Sequence, residues 1–294
     1  MIHQKINLYP HRTDVTLTSY ILDNPDELNI TTRPSVIINP GGAYLLCSHR
    51  ESEPVALAFN TMCYNAFVLH YSVYGENNQH PDLSDIYNAP VVERSIYPGP
   101  MVDLAHAMLY VKGLSHLGID PERVAICGFS AGGHNCAMYA THYHRPLLTQ
   151  ALGVSSEQLR PAACILAYPV IDYGLMKPTG TTSEHAKQVY AACSLAYTGT
   201  TNPDDDYLQK ISANHFVDAH TPPTFIWHTY EDEPVPPTQA TAYAHQLGLH
   251  GVPFELHVFE KGIHGLSLAS QVTAAGNSAM LEPDAAEWVS LCQR

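Results

Sequence analysis

Basic residues are scarce in this chain: 14 lysines and arginines stand against 28 aspartates and glutamates, a formal charge of −14 with histidine neutral. So acidic a surface repels nucleic acid and anionic membranes and favours neutral or cationic ligands, and no basic patch with interleaved aromatics opposes that reading. Long apolar runs are missing too. None approaches the roughly 20 residues of a membrane-spanning helix, and Met1-Ile2-His3-Gln4-Lys5-Ile6 lacks the apolar core of a signal peptide. The expected location is therefore cytoplasmic, with no membrane partner. The seven cysteines are odd in number, scattered and mostly set in apolar stretches, which suits buried thiols in a reducing compartment better than a disulfide framework. Metal-binding spacings are absent: the 18 histidines include no His-Glu-x-x-His, there is no Cys-x-x-Cys, and His142-Tyr143-His144 has no obvious third ligand. Neither a metal nor a cofactor is expected. No linker, charge block or internal repeat divides the 294 residues, so one domain spanning 1–294 is expected.

What is present is concentrated in Cys127-Gly128-Phe129-Ser130-Ala131-Gly132-Gly133. The apolar run Val124-Ala125-Ile126 precedes it and small and apolar residues follow through Ala140, so it reads as strand, sharp turn and helix. Glycines two before and two after Ser130 permit a strained turn that a Cβ would block. Such a turn lifts the hydroxyl off the sheet edge and aims the Ala131 N–H, at a helix N-terminus, toward charge growing on a bound carbonyl. The structural alternative is a serine that merely caps the helix. Its partners elsewhere in the chain decide between the two.

Taken in order, 14–22 alternates and is β-branched, an expected antiparallel strand. Short apolar runs of the kind found in buried parallel strands follow at 35–38, 66–71, 162–168, 224–228 and 254–259. Helical periodicity lies between them, clearest at Leu104, Ala107, Met108 and Val111 and again at Ala240, Tyr243, Ala244 and Leu247. A closing helix carries Ala285, Trp288, Val289 and Cys292. Strand–helix alternation of this kind predicts a mostly parallel α/β sheet flanked by helices, which binds ligands at the C-terminal ends of its strands. Two stretches interrupt it. Residues 75–100 form a long polar, proline-rich loop expected at the rim of a site, and 171–217 reads as an inserted cap with short helices near 184–197 and 207–212.

The candidate functional residues fall at strand ends. Asn39-Pro40-Gly41-Gly42-Ala43-Tyr44 follows one strand, and paired glycines there let backbone N–H groups face a ligand. Glu231, Asp232 and Glu233 follow another; Asp232, three residues before Val235-Pro236, has the usual spacing of a triad acid, and its neighbours read as solvated. His264 lies in Gly-Ile-His-Gly right after the last strand, where an imidazole can reach across to a serine. His228 and His257 lie within strands and are expected to be packed. The order serine, acid, histidine is the one a nucleophile elbow requires.

Pro-Gly-Gly-Ala-Tyr at 40–44, Arg-Glu-Ser-Glu-Pro-Val-Ala at 50–56, Phe-Ser-Ala-Gly-Gly at 129–133, Trp-His-Thr at 227–229 and Asp232 with Val235-Pro236 resemble the α/β-hydrolase superfamily. More narrowly, they resemble bacterial acetyl esterase and acetylxylan esterase-like carboxylesterases. The resemblance implies an α/β-hydrolase fold with a small cap and the roles of nucleophile for Ser130, general base and acid for His264 and orienting acid for Asp232. It also implies oxyanion donors at Gly41, Gly42 and Ala131, substrate contacts at Tyr44, Phe129 and Val235, and a small-molecule ester, short-chain acyl and acetyl foremost, of sugar or oligosaccharide type, as substrate. A homo-oligomer is compatible with it. Pro40 and Ala43 depart from the His-Gly-Gly-Gly form of the loop. Two other functions use the same scaffold: an amide hydrolase, either prolyl-oligopeptidase-like or kynurenine-formamidase-like, and a hydrolase fold that only binds.

Overall fold

The apolar runs assemble into one sheet. A computed structural model describes residues 1–82 and 84–293; Leu83, within the expected rim loop, and Arg294, at the end of the expected domain, lie outside the described residues. The strands are β1 (Ile2–Tyr9), β2 (Arg12–Ile21), β3 (Arg33–Asn39), β4 (Asn65–His70), β5 (Ile119–Phe129), β6 (Cys164–Ala167), β7 (Thr224–Thr229) and β8 (Phe254–Phe259). They lie in the order β1-β2-β4-β3-β5-β6-β7-β8. β2 pairs antiparallel with β1 and β4, and every pairing from β4 to β8 is parallel. This is the α/β-hydrolase fold.

The period of two along each strand sends side chains into two cores. On one face Ile37, Phe67, Leu69, Ile126 and Ile226 meet α2 (Gly99–Lys112), α3 (Ala131–His142) and α9 (Thr238–Leu249). On the other, Val36, Ile38, Val68, Phe129 and Trp227 meet α1 (Glu53–Thr61) and the C-terminal Trp288, whose ring stacks on Trp227 with centroids 5.6 Å apart. Between α3 and β6 lie α4 (Pro146–Leu152) and α5 (Ser156–Leu159).

The insertion between β6 and β7 carries α6 (Tyr173–Met176), α7 (Glu184–Thr198) and α8 (Asp205–Lys210). α7 starts where Ser183 accepts the Ala186 N–H and ends at Gly199 with φ +79°, a start and stop that local chemistry dictates. The stretch after β4 is irregular but fastened. Arg94 donates to the carbonyls of Val73 and Tyr74, the Ser95 hydroxyl to that of Ala196, and the Tyr97 N–H to that of Tyr197.

Several elements depart from the sequence reading, which names no helix at α4, α5 or α6. β1 was not anticipated, because most of its residues are exposed and its alternation has no buried face to mark it. The closing helix is split into α10 (Pro283–Ala286) and α11 (Trp288–Leu291). β8 is an edge strand, so His257 is not packed in the core: its side chain stays 27 % exposed, bonded to Glu255 and stacked on Phe259.

Candidate active site

β5 ends at Phe129 and α3 begins at Ala131, leaving Ser130 alone in the turn with φ 52° and ψ −118°. A non-glycine residue adopts that backbone only when its surroundings impose it. The glycines explain how. A Cβ on Gly128 would lie 2.2 Å from the Gly132 carbonyl oxygen, and one on Gly132 would lie 2.1 Å from that of Asn39. Strand, helix and the β3 loop therefore meet backbone to backbone beneath the serine, which tightens the turn and lifts the hydroxyl.

Three distant residues converge there. Ser130 Oγ is 2.8 Å from His264 Nε2, and His264 Nδ1–H donates to Asp232 Oδ2 at 2.6 Å. The bond to a carboxylate places the imidazole proton on Nδ1, so Nε2 is free to accept the serine proton. Asp232 follows β7 and is buried, and its Oδ1 accepts the Val235 N–H at 3.0 Å. Burial pushes the Asp232 carboxyl up, but the charge on His264 and the bonds from His228 and His264 outweigh it and hold it at about 2. For His264, burial works downward while the charge and hydrogen bond of Asp232 work upward, and the net shift is above the ordinary 6.5, with Glu51 contributing.

These atoms open on a cavity of about 880 Å³. Leu45, Ile86, Val170, Met176, Ala192 and Val235 make its apolar wall, while His80, Asp85, Glu184, His185, Lys187 and Gln188 put polar groups around it. The loop after β4 and the insertion between β6 and β7 thus both border the cavity. Gly42, Ala43 and Ala131 also line it, and among the described residues their N–H groups have no protein acceptor. A carbonyl oxygen set among these N–H groups would gain hydrogen bonds as it becomes negative, the arrangement that acyl transfer requires.

Three expected site residues are corrected. Gly41 does not offer its N–H to the cavity: it donates to Glu51 Oε2 at 2.8 Å, and the free groups belong to the next two residues. Tyr44 is fully buried. Its φ of 60° turns the ring inward, where the hydroxyl bonds His134 Nδ1 at 2.7 Å and the ring stacks on Tyr197. Phe129 is buried on the opposite side of the sheet from α3, edge-on to Trp288, because strand parity points it away from Ser130. Val235 does line the cavity.

Sequence reasoning missed two residues. His228 is packed as expected, but its Nε2 lies 2.7 Å from the Val235 carbonyl and 3.3 Å from Asp232 Oδ2. Its place four residues before Asp232 was the available signal. Glu51 stood in a quoted motif, but its chemistry was not read. Among the described residues no group of three or more His, Cys, Asp or Glu side chains is arranged to hold a metal ion; His142 Nδ1 bonds the Met138 carbonyl and His144 bonds Asp218. No helix among them is long and apolar enough to cross a membrane.

The sequence matches the BD-FAE family over residues 86–247, more than half of the chain. The chain belongs to the BD-FAE family. The carboxylesterase Cest-2923 of Lactobacillus plantarum superposes with a TM-score of 0.78 at 30 % identity, covering 99 % of this chain and 95 % of that one. An acetyl ester-xyloside bifunctional hydrolase of Caldicellulosiruptor lactoaceticus gives 0.73 at 30 % identity, over 99 % and 94 %. An endo-1,4-beta-xylanase B of Butyrivibrio fibrisolvens is 31 % identical over 250 residues, 83 % of this chain and 34 % of that protein. The chain spans between 34 % and 57 % of the length of the curated relatives that it matches.

Proposed function

We propose that this BD-FAE family member is a serine carboxylesterase that removes short acyl groups, acetyl foremost, from sugar or oligosaccharide esters. The observation that carries the reading is the relay from Ser130 Oγ to His264 Nε2 and from His264 Nδ1 to Asp232 Oδ2, at 2.8 and 2.6 Å, beside unpaired backbone N–H groups. Ser130 attacks the ester carbonyl while its proton passes to His264. The N–H groups of Gly42, Ala43 and Ala131 receive the oxyanion. As the tetrahedral intermediate collapses, the proton on His264 goes to the departing alcohol and leaves an acyl-enzyme, and water then repeats the sequence.

The cavity of about 880 Å³ exceeds what an acetyl group alone needs, which supports a bulky alcohol. Its polar groups suit hydroxyl-rich ligands, and the neighbour described as an acetyl ester-xyloside hydrolase supports the same substrate class. The seven free thiols, five of them buried, suit a reducing cytoplasm.

Turnover of p-nitrophenyl acetate and of acetylated xylo-oligosaccharides, set beside an aminoacyl anilide and N-formylkynurenine, tests the reading. The acetyl esters are expected to be the better substrates, and Ser130→Ala is expected to lower kcat by on the order of 10⁴-fold or more. Faster turnover of either amide, or an active Ser130→Ala protein, overturns it.

A further inference from the structure

Glu51 is a buried carboxylate, 4 % exposed, that touches none of the reacting atoms of the proposed mechanism. Leaving an acid in such a place is costly unless its oxygens are bonded. Both are, and to different parts of the site. Oε2 accepts the Gly41 N–H at 2.8 Å, and Oε1 accepts the Tyr168 hydroxyl at 2.7 Å. That hydroxyl in turn accepts the N–H of Ser267, at 2.8 Å, in the loop that carries His264. The neighbouring Arg50 closes the same junction: its guanidinium donates to the Gly265 carbonyl at 2.9 Å and its carbonyl accepts the Ser267 hydroxyl at 2.7 Å.

The contact reaches the nucleophile as well. A Cβ on Gly41 would lie 2.8 Å from Glu51 Oε2 and 2.9 Å from Ser130 Cβ. The glycine loop, the carboxylate and the serine are therefore packed without space between them. With the Gly41 N–H committed to Glu51, the peptide plane before it is held, and the next two N–H groups are left to face the cavity.

We propose that Glu51 is a positioning residue: one carboxylate sets the oxyanion loop through Gly41 and, through Tyr168, the loop of His264, so that donors and base are aligned on Ser130. This rests on the esterase reading above. The residue also has an electrostatic part. His264 faces Asp232 and Glu51, and the Tyr168 ring packs edge-on against it with centroids 5.2 Å apart, while Arg50 acts on Glu51 from the adjoining position. Burial raises the Glu51 carboxyl above its ordinary 4.5, against the bonds from Tyr168 and Gly41 and the charges of His264 and Arg50; in its ionised form it favours the imidazolium that forms as Ser130 gives up its proton.

Glu51→Gln tests this. A carboxamide keeps the volume but has one acceptor oxygen in place of two, so it cannot accept from both Gly41 and Tyr168. With p-nitrophenyl acetate, kcat is expected to fall about tenfold to a hundredfold, less than or comparable to deleting an oxyanion donor, with KM within about twofold of wild type. Affinity for a trifluoromethyl ketone, which forms a tetrahedral adduct on the serine, is expected to fall by a similar factor. The acid limb of the kcat/KM profile moves to lower pH, because His264 loses a negative neighbour. Tyr168→Phe, which leaves the carboxylate and severs only the link to the His264 loop, is expected to lower kcat by a smaller factor.

A Glu51→Gln protein that melts earlier but keeps wild-type kcat, inhibitor affinity and pH profile makes Glu51 purely structural and overturns the proposal. If Glu51→Gln does not fold, an unchanged kcat in Tyr168→Phe overturns it in the same way. Ser130→Ala separates the two ideas: activity in that variant removes the esterase reading and this inference with it, whereas an inactive Ser130→Ala beside an unimpaired Glu51→Gln removes this inference alone.

Discussion

His228 Nε2 stands 3.3 Å from Asp232 Oδ2, the oxygen that also accepts the His264 Nδ1–H. The same His228 nitrogen meets the Val235 carbonyl at 2.7 Å, and a carbonyl can only accept, so Nε2 carries the proton. That proton is directed to Val235, and Asp232 is hydrogen-bonded by His264 at Oδ2 and by the Val235 N–H at Oδ1, with the His228 N–H close beside Oδ2. A carboxylate bonded at both oxygens, with a further N–H beside one of them, is held against His264.

That relationship can be measured. A full hydrogen bond to a charged group contributes about 1.5–3 kcal/mol, an upper bound for this contact, and each 1.4 kcal/mol lost from the transition state is about tenfold in rate. His228→Leu is expected to lower kcat/KM for p-nitrophenyl acetate by on the order of tenfold and to lower the melting temperature. His228→Gln, which keeps a donor, is expected to lose less. Equal rates in His228→Leu and wild type would show that His264 and Val235 hold Asp232 unaided.

The pH profile follows from His264. In the proposed mechanism the imidazole must be neutral to accept the serine proton, and its pKa is raised above 6.5, since Asp232 overcomes the effect of burial. The acid limb of kcat/KM is therefore expected to have its midpoint above 6.5, with activity lost as pH falls through it. A midpoint below 6.5 in a steady-state pH series would contradict that balance.

Asp232 makes the opposite prediction for stability. Its folded pKa is depressed, from 3.8 to about 2, so its contribution is present above pH 3.8 and is lost as pH falls from 3.8 toward 2. Urea unfolding across that window is expected to show a steeper loss of stability in wild type than in Asp232→Asn, which cannot titrate.

The glycine loop is expected to be intolerant at one position and tolerant at the next. A Cβ on Gly42 would lie 2.2 Å from the Leu46 carbonyl oxygen, and its φ is +125°. Gly42→Ala must shift the loop, and a loss of about a hundredfold or more in kcat is expected where an oxyanion donor is misplaced. Ala43→Gly keeps the N–H and suits the residue's φ of 57°, so its kcat should stay within about threefold of wild type. Comparable kcat values for the two variants would remove Gly42 from the oxyanion hole.

The alternating strands and helices, the serine turn and the order of serine, acid and histidine were legible in the chain because each has a local cause. Gly128 and Gly132 are needed where backbones touch, the apolar runs of β3, β4, β6 and β7 are strands buried on both faces, and Asp232 and His264 follow strands that end at the same edge. Local causes stop there. The sequence marks Gly41 and Gly42 as equivalent, yet Glu51 takes the N–H of one and leaves the other free, a choice made by a carboxylate brought in from ten residues away. Tyr44 and Phe129 lie in the right loops but face the core, since positive φ at one and strand parity at the other decide their direction. β1 and His257 were misjudged for the same reason: whether an alternating strand buries a face depends on what packs against it. The sequence by itself determined which backbone could form and which side chains could react. Only the tertiary structure decided where each hydrogen-bonding group points, because those partners come from elements far apart in the chain.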